Sequence, residues 1–372
     1  MKITNYIATI FLGGLLCLSC QQEYPDSSIY VGEGIVFTTP YSSRSTVYTA
    51  WEKGNQIGVM GYCDGKNGGQ DIYADLWDAK KDFVTPDIFY NQPLTYDENG
   101  NWAYNWNSQG LHPWLGVGKE NAKYTFIAYS PYTDNGTIGN GEGTFSFSDQ
   151  SFKGEPTFKF TMPHTGQFEQ SELGLNVADV MMATRKDHTK ADGTVGLNFE
   201  HMLTAMEFEV NNYNLDKDVT IKKIAVKGSG FYKEFTVKGV NIENYTVEDG
   251  TYMGTFNVQS EPITLKMAEG NLETGEIIPT TRKIANADGT PLDLLFIVDQ
   301  NHKIFSENGE CSVIVTTEKG DSRSLSLKEG NVTFTRGVKN IFSINYVGND
   351  FLLQVRADEN WEIGGDDNIY FD

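Results

Sequence analysis

Met202-Leu203-Thr204-Ala205-Met206-Glu207-Phe208-Glu209-Val210 is the stretch that decides the fold class. Met206, Phe208 and Val210 fall on one side of an extended chain; Ala205, Glu207 and Glu209 fall on the other. Period-two alternation of this kind marks a half-buried β-strand. It predicts Met206, Phe208 and Val210 in the core, with Glu207 and Glu209 facing solvent. Outward from there the same reading repeats. In Val219 to Val226 the apolar set is Val219 and Ile221, then Ile224 and Val226, so the phase flips at Lys222-Lys223 and predicts a β-bulge. Ile35–Thr39, Gln56–Tyr62, Tyr124–Tyr129, Thr144–Phe147 and Thr157–Phe160 read as strands upstream. Downstream come 235–237, 254–258, 263–267, 294–298, 312–316, 324–327, Ile341–Tyr346 and Phe351–Val355. Asp192-Gly193, Asp249-Gly250, Asp288-Gly289 and Asn308-Gly309 punctuate them as turns.

No twelve-residue window carries a convincing 3.6 period, and Tyr73–Lys80 is the best short helical candidate. Aromatics make up 13% of the chain and glycines number 38, a bias toward sheet. Short strands at close spacing point to an all-β chain of sandwiches rather than βαβ units. A length of 372 residues suggests two domains. The polar stretch Asp187–Gly193 separates two strand-rich halves, so the expected division is 34–195 and 196–372.

The N-terminus reads as an export signal. Lys2 precedes an apolar run from Ile7 to Leu18, and the sequence turns abruptly polar after Cys20. A cysteine at that point looks like a bacterial lipobox, with Cys20 acylated; Cys17 stands where a lipobox usually has Leu. Residues 1–20 are then a lipoprotein signal peptide and 21–33 a tether. The apolar run is shorter than the roughly 20 residues needed to span a bilayer. Removal of Cys17 and acylation of Cys20 would leave Cys63 and Cys311 as single buried thiols, not a disulfide framework. The net charge of −21 argues against nucleic acid, whose phosphates require Lys and Arg.

Signals of catalysis are poor. His112, His164, His188, His201 and His302 lack metal-ligand spacing, so no metal site and no cofactor is expected. His201 reads as a structural hydrogen-bonding histidine. Ser229 lacks the setting of a nucleophile elbow. Asp97-Glu98-Asn99-Gly100-Asn101 reads as a hairpin turn rather than a calcium loop. Trp77, Trp102, Trp106 and Trp114 crowd one stretch. They either fill the N-terminal core or form stacking platforms for sugars, and the latter would make the chain a glycan-binding surface lipoprotein.

Four segments carry a family resemblance. Thr49-Ala50-Trp51-Glu52-Lys53-Gly54-Asn55-Gln56-Ile57-Gly58-Val59 resembles the W-E-x-G-D-x-I-G-V segment of fimbrillin-like proteins of Bacteroides-type bacteria, with Asn55 in place of Asp. Tyr124–Tyr132 resembles the family's F-x-A-Y-x-P strand end. Asp179–Ala183 followed by Leu197–Leu203 resembles D-L-M-x-A … F-x-H-x-L. Ile341–Tyr346 and Trp361 resemble its closing strands. The resemblance implies two tandem transthyretin-like β-sandwiches, a lipid anchor in the outer membrane through Cys20, and assembly into a surface fimbrium, not an enzyme. It implies other fimbria subunits as partners and host or bacterial surfaces as ligand sources. It further implies an Arg-specific protease cut after the first strand and strand exchange between subunits. Arg44 and Ser45 lie in a polar turn at the corresponding place; without the resemblance, Arg44 is an ordinary surface arginine. Phe351, Leu353 and Val355 share one face of a candidate donor strand, which is equally an ordinary last core strand.

Overall fold

The structure is a computed structural model that describes residues 34–39, 51–63, 88–99, 101–104, 112–115, 121–138, 142–148, 157–163, 167–173, 177–248, 250, 252–258, 261–271, 273–285, 289, 292–357 and 369–370. Cys20, Arg44, Ser45, Trp77, Trp106, Trp361 and the helical candidate Tyr73–Lys80 lie outside them.

In chain order the strands are β1 (Phe37–Thr38), β2 (Gln56–Cys63), β3 (Phe89–Tyr96), β4 (Asn101–Ala103), β5 (Tyr124–Ser130), β6 (Thr144–Ser148), β7 (Thr157–Thr161) and β8 (Gln167–Leu173). Next come β9 (Met181–His188), β10 (Val195–Gly196), β11 (Glu200–His201), β12 (Thr204–Asn212), β13 (Val219–Phe231), β14 (Glu234–Lys238), β15 (Tyr245–Val247), β16 (Tyr252–Asn257) and β17 (Ile263–Leu265). The remainder are β18 (Glu269–Gly270), β19 (Ile277–Ile278), β20 (Thr280–Lys283), β21 (Leu294–Phe296), β22 (Phe305–Thr317), β23 (Ser322–Ser326), β24 (Lys339–Val347), β25 (Asp350–Ala357) and β26 (Ile369–Tyr370). The chain is all-β; its one helical turn among the described residues is the 3-10 turn Lys190–Asp192. No helix among them is long and apolar enough to cross a membrane.

Three large sheets organise these strands. The first runs β10-β1-β4-β3-β2-β5-β9-β11. The second runs β20-β12-β24-β25-β26, with β21 also on β12; the third runs β23-β22-β13-β16-β8, with β17 on β13. A four-stranded sheet, β15-β14-β7-β6, and the β18-β19 hairpin complete the described fold. In the first sheet, β2 and β5 are covered on both faces. Ile57, Val59 and Cys63 enter one core while Met60 and Tyr62 enter the other. Double-sided burial explains why the two strands read as nearly continuous apolar runs. The bulge expected at Lys222-Lys223 is present, as the β13–β22 register shifts between Ile221 and Lys223.

Gly58 fixes how two of the sequence segments meet. It lies opposite Tyr129 across β2 and β5. A methyl group there would sit 2.2 Å from the Tyr129 ring. The absent side chain makes room for the phenol, whose hydroxyl donates to Asn91 Oδ1 at 2.6 Å and lies 3.0 Å from the Thr133 carbonyl.

The central strand β12 corrects one expectation. Met206, Phe208 and Val210 are buried as predicted, but Glu207 is 3% exposed rather than solvent-facing. β12 is an inner strand, flanked by β24 in parallel and by β21 and β20 on its other edge, so its polar face is covered too. Lys339 Nζ donates to Glu207 Oε2 at 3.2 Å and to Asp293 Oδ2 at 2.8 Å, and Lys283 Nζ donates to Glu207 Oε1 at 3.0 Å. Glu209 is half-buried and accepts a hydrogen bond from the Ser343 hydroxyl. Burial raises the Asp293 carboxyl above the usual carboxylate range, with Lys339 acting against it. Burial also works against the charged form of Lys339. Its hydrogen bond to Asp293 and the charges of Asp293 and Glu207 outweigh that and hold the ammonium above its usual range.

Candidate functional site

The first strand is short and held in a slot. β1 lies between β10, which it pairs in parallel through Phe37↔Val195, and β4, which it pairs antiparallel through Phe37↔Trp102. Val195 N–H donates to the Val36 carbonyl at 2.8 Å and Leu197 N–H to that of Thr38 at 2.9 Å. Ile35 N–H donates to the His112 carbonyl at 2.9 Å. Tyr104 fastens that carbonyl from behind: its hydroxyl lies 3.3 Å from His112 O and accepts from His112 N–H at 3.2 Å. Burial raises the Tyr104 hydroxyl above the usual tyrosine range, so it stays protonated.

Alternation sets which side chains plug the slot. Ile35 and Phe37 point in and are buried, while Val36 points out at 46% exposure. The Phe37 ring meets Phe89 edge-on at 5.4 Å and Phe126 at 5.1 Å. Burying two such side chains is worth about 1.5–3 kcal/mol each, against about 0.5–1.5 kcal/mol for each net hydrogen bond. The two apolar plugs and the hydrogen bonds therefore hold β1 to a comparable extent. At the exit, Trp102 Nε1 donates to Thr39 Oγ1 at 2.7 Å. The chain is next described at Trp51, whose ring packs against Trp102 at 4.8 Å and Phe199 at 5.2 Å. The segment between, with Arg44 and Ser45, is outside the described residues.

Phe351, Leu353 and Val355 occupy a different place. All three are buried in the core that also contains Phe208. β25 pairs with β24 from Asn340↔Ala357 to Val347↔Asp350, and β26 adds Gln354↔Tyr370 and Val355↔Ile369 on its far edge. The slot and the candidate donor strand thus belong to separate sheets, and the structure does not bring them together.

The tryptophan platform is not formed where it is described. Trp102 is 1% exposed and Trp114 is 5% exposed, so both fill the core instead of stacking on a sugar. Cys63 and Cys311 are buried thiols outside any disulfide, in separate cores. His201 Nδ1 lies 2.8 Å from Asp179 Oδ1, which gives the histidine a structural partner from the D-V-M-M-A segment. Asn55 Oδ1 accepts from Glu52 N–H at 2.7 Å. That turn needs only an acceptor, which the Asn55 amide oxygen supplies. Among the described residues, no group of three or more His, Cys, Asp or Glu has a metal-binding arrangement. Sequence reasoning missed β10 as the parallel neighbour of β1; two residues far downstream carry no local signal of such pairing.

The sequence profile of fimbrillin-like proteins matches residues 43–359, most of the chain. The chain belongs to the fimbrillin-like family. Family membership makes it a fimbrial protein of the cell surface, not an enzyme. Among solved structures, it is similar to a candidate cell adhesion protein of Bacteroides uniformis, with 14% identity and a TM-score of 0.49, covering 87% of this chain and 97% of that one. A candidate cell adhesion protein of Bacteroides ovatus gives 12% identity and a TM-score of 0.48, covering 90% and 99%. The fimbrial anchor protein Mfa2 of Porphyromonas gingivalis gives 11% and 0.32, covering 91% and 98%. No curated protein matches the sequence.

Proposed function

We propose that this chain is a lipid-anchored fimbria subunit that joins its neighbours by strand exchange at the β1 slot. The observation that carries this reading is the slot itself. A two-residue ladder and the plugs Ile35 and Phe37 hold a short strand, and β1 is followed by the polar segment containing Arg44 and Ser45. A cut at Arg44-Ser45 would leave β1 attached only through non-covalent contacts. Its departure would open the backbone edges of β4 and β10 above Phe89 and Phe126, a template for an alternating apolar strand. Phe351, Leu353 and Val355 supply that alternation. Their donation exchanges the β25–β24 pairing of one copy for a place in the slot of the next. Two transthyretin-like sandwiches meeting near residue 195 belong to the same proposal. So does anchorage in the outer membrane through acyl chains on Cys20, where several buried chains are what hold a lipoprotein in a bilayer.

The test is size-exclusion chromatography of the chain before and after limited cleavage by an Arg-specific protease, with and without a synthetic peptide of residues 351–357. The cut protein is expected to form ladders of oligomers that the peptide caps. A cut protein that stays monomeric at high concentration refutes exchange through the slot. Ladders indifferent to the peptide refute Phe351–Val355 as donor. Fatty-acid labelling that persists in Cys20→Ala refutes the anchor.

A further inference from the structure

We infer that the concave pocket between the β14–β15 turn and β9 is a binding site for an acidic sugar. It has a volume of about 380 Å³, within the range of small-ligand sites. Its lining has a distinct chemistry. Lys186 from β9 and Lys238 from the end of β14 supply two ammonium groups, and Thr236, Asn241, Asn244 and Thr246 supply neutral donors and acceptors. No carboxylate lines it, although the chain carries 50 Asp and Glu against 29 Lys and Arg.

The nearby acids are neutralised by other cations. Glu243 pairs with Arg336 at 2.6 Å, Glu234 with Lys159 at 2.8 Å and Glu248 with Lys233 at 2.7 Å. Neither Lys186 nor Lys238 joins an ion pair among the described residues, and both are exposed. Two cations at the mouth of a site whose acids are already engaged favour an anion.

The turn is also built to keep its shape. Arg336 Nη1 donates to the Ile242 carbonyl at 2.6 Å, and the guanidinium lies 5.3 Å from the centre of the Tyr245 ring. Gln300 Nε2 donates to the carbonyls of Glu243 and Tyr245 at 3.3 and 3.2 Å. Asn244 N–H closes the turn on the Asn241 carbonyl at 3.0 Å, and Gly239 takes the positive φ of 75° that the reversal needs. A site held this way loses little freedom when a ligand enters. The Tyr245 ring is buried beneath Arg336, so sugar stacking is not the recognition mode. Charge on the lysines and hydrogen bonding from the amides and hydroxyls remain. That combination suits a hydroxylated ring bearing a carboxylate or a sulfate ester, and not a neutral sugar.

This inference does not rest on strand exchange, and its test leaves assembly untouched. The intact chain is titrated calorimetrically with N-acetylneuraminic acid, glucuronic acid and a sulfated hexose, with the methyl esters of the two carboxylic acids as uncharged controls. A charge-assisted contact is worth about tenfold or more in affinity, so an acid should bind at least about tenfold tighter than its ester. Lys186→Gln and Lys238→Gln should each weaken that acid about tenfold with an unchanged unfolding midpoint. Asn244→Ala should weaken the sugar acid but not acetate. A preference for the sulfated hexose over both carboxylates identifies the anion and keeps the site. Equal binding of acid and ester, no loss in the lysine variants, no binding at millimolar concentration, or acetate and a glutamate tripeptide binding as tightly as the sugars would each overturn it.

Discussion

Lys339→Met tests the buried charge cluster of the central sheet. Methionine keeps the length and apolar stem of lysine and removes only the ammonium, so the cavity cost is small. Glu207 keeps one counter-ion, Lys283, whose side chain is 57% exposed. Asp293 loses the ammonium that donates to it at 2.8 Å. Stripping one partner from a buried ion pair costs about 3–5 kcal/mol, because it leaves an uncompensated charge. With two carboxylates served by the same ammonium, the expected loss is in the upper part of that range. It also depends on pH. The folded-state Asp293 carboxyl is already raised by burial, and without Lys339 it rises further. A group whose folded pKa exceeds its unfolded value stabilises fully below the unfolded value, about 4 for Asp, and loses that contribution as pH climbs through the folded pKa. The deficit of the variant should therefore be smallest in mild acid and grow toward neutrality. Urea unfolding followed by fluorescence of the buried Trp102 and Trp114 measures it at each pH. Adding Asp293→Asn and Glu207→Gln should recover most of the loss and flatten the pH profile. A single variant that costs less than about 1 kcal/mol with no pH dependence would show that Glu207 and Asp293 are solvated.

Other expectations concern packing. Phe208→Ala should cost about 3–5 kcal/mol in the same assay, since the ring is fully buried and stacks on Phe342 at 5.3 Å. Gly58→Ala should cost about 1–3 kcal/mol and break the Tyr129–Asn91 hydrogen bond, visible as a change in tyrosine near-ultraviolet dichroism. Burial pushes the Cys311 thiol up from its ordinary range, so Cys311 should resist thiol reagents in native buffer and react in denaturant. Rapid native labelling would contradict its burial.

Much of the sheet structure was legible because alternation is local. Met206, Phe208 and Val210 announced their face, and the flip at Lys222-Lys223 announced its bulge. What failed was the meaning of the other face. Glu207 looks solvent-bound only if one side of β12 is open, and whether a sheet is covered twice depends on Asp293 and Lys339, distant in sequence. β3 escaped notice because Pro93 demotes its run. β4 pairs only with Thr95 and Tyr96, so Pro93 has no ladder partner on that edge of β3. At the slot, the inward face of Ile35 and Phe37 was readable, whereas the parallel pairing to Val195 was not. Lys186 and Lys238 form one pocket only because β9 and β14 converge in space.

The parallel union of β12 with β24 also governs when this molecule becomes a molecule. The side chains of Asn211 and Asn345 meet across that pair at a separation of 134 residues. Closing so long a loop costs entropy before any pairing repays it, and such contacts form late. During synthesis Thr204–Asn212 emerges first and has no parallel neighbour until Lys339–Val347 arrives. Until then Glu207 lacks Lys339, and the central sheet lacks its middle. The chain therefore stays pliable until nearly all of it has been made. The same interval leaves apolar strand edges open to other chains, so association of unfinished chains is the hazard of this topology.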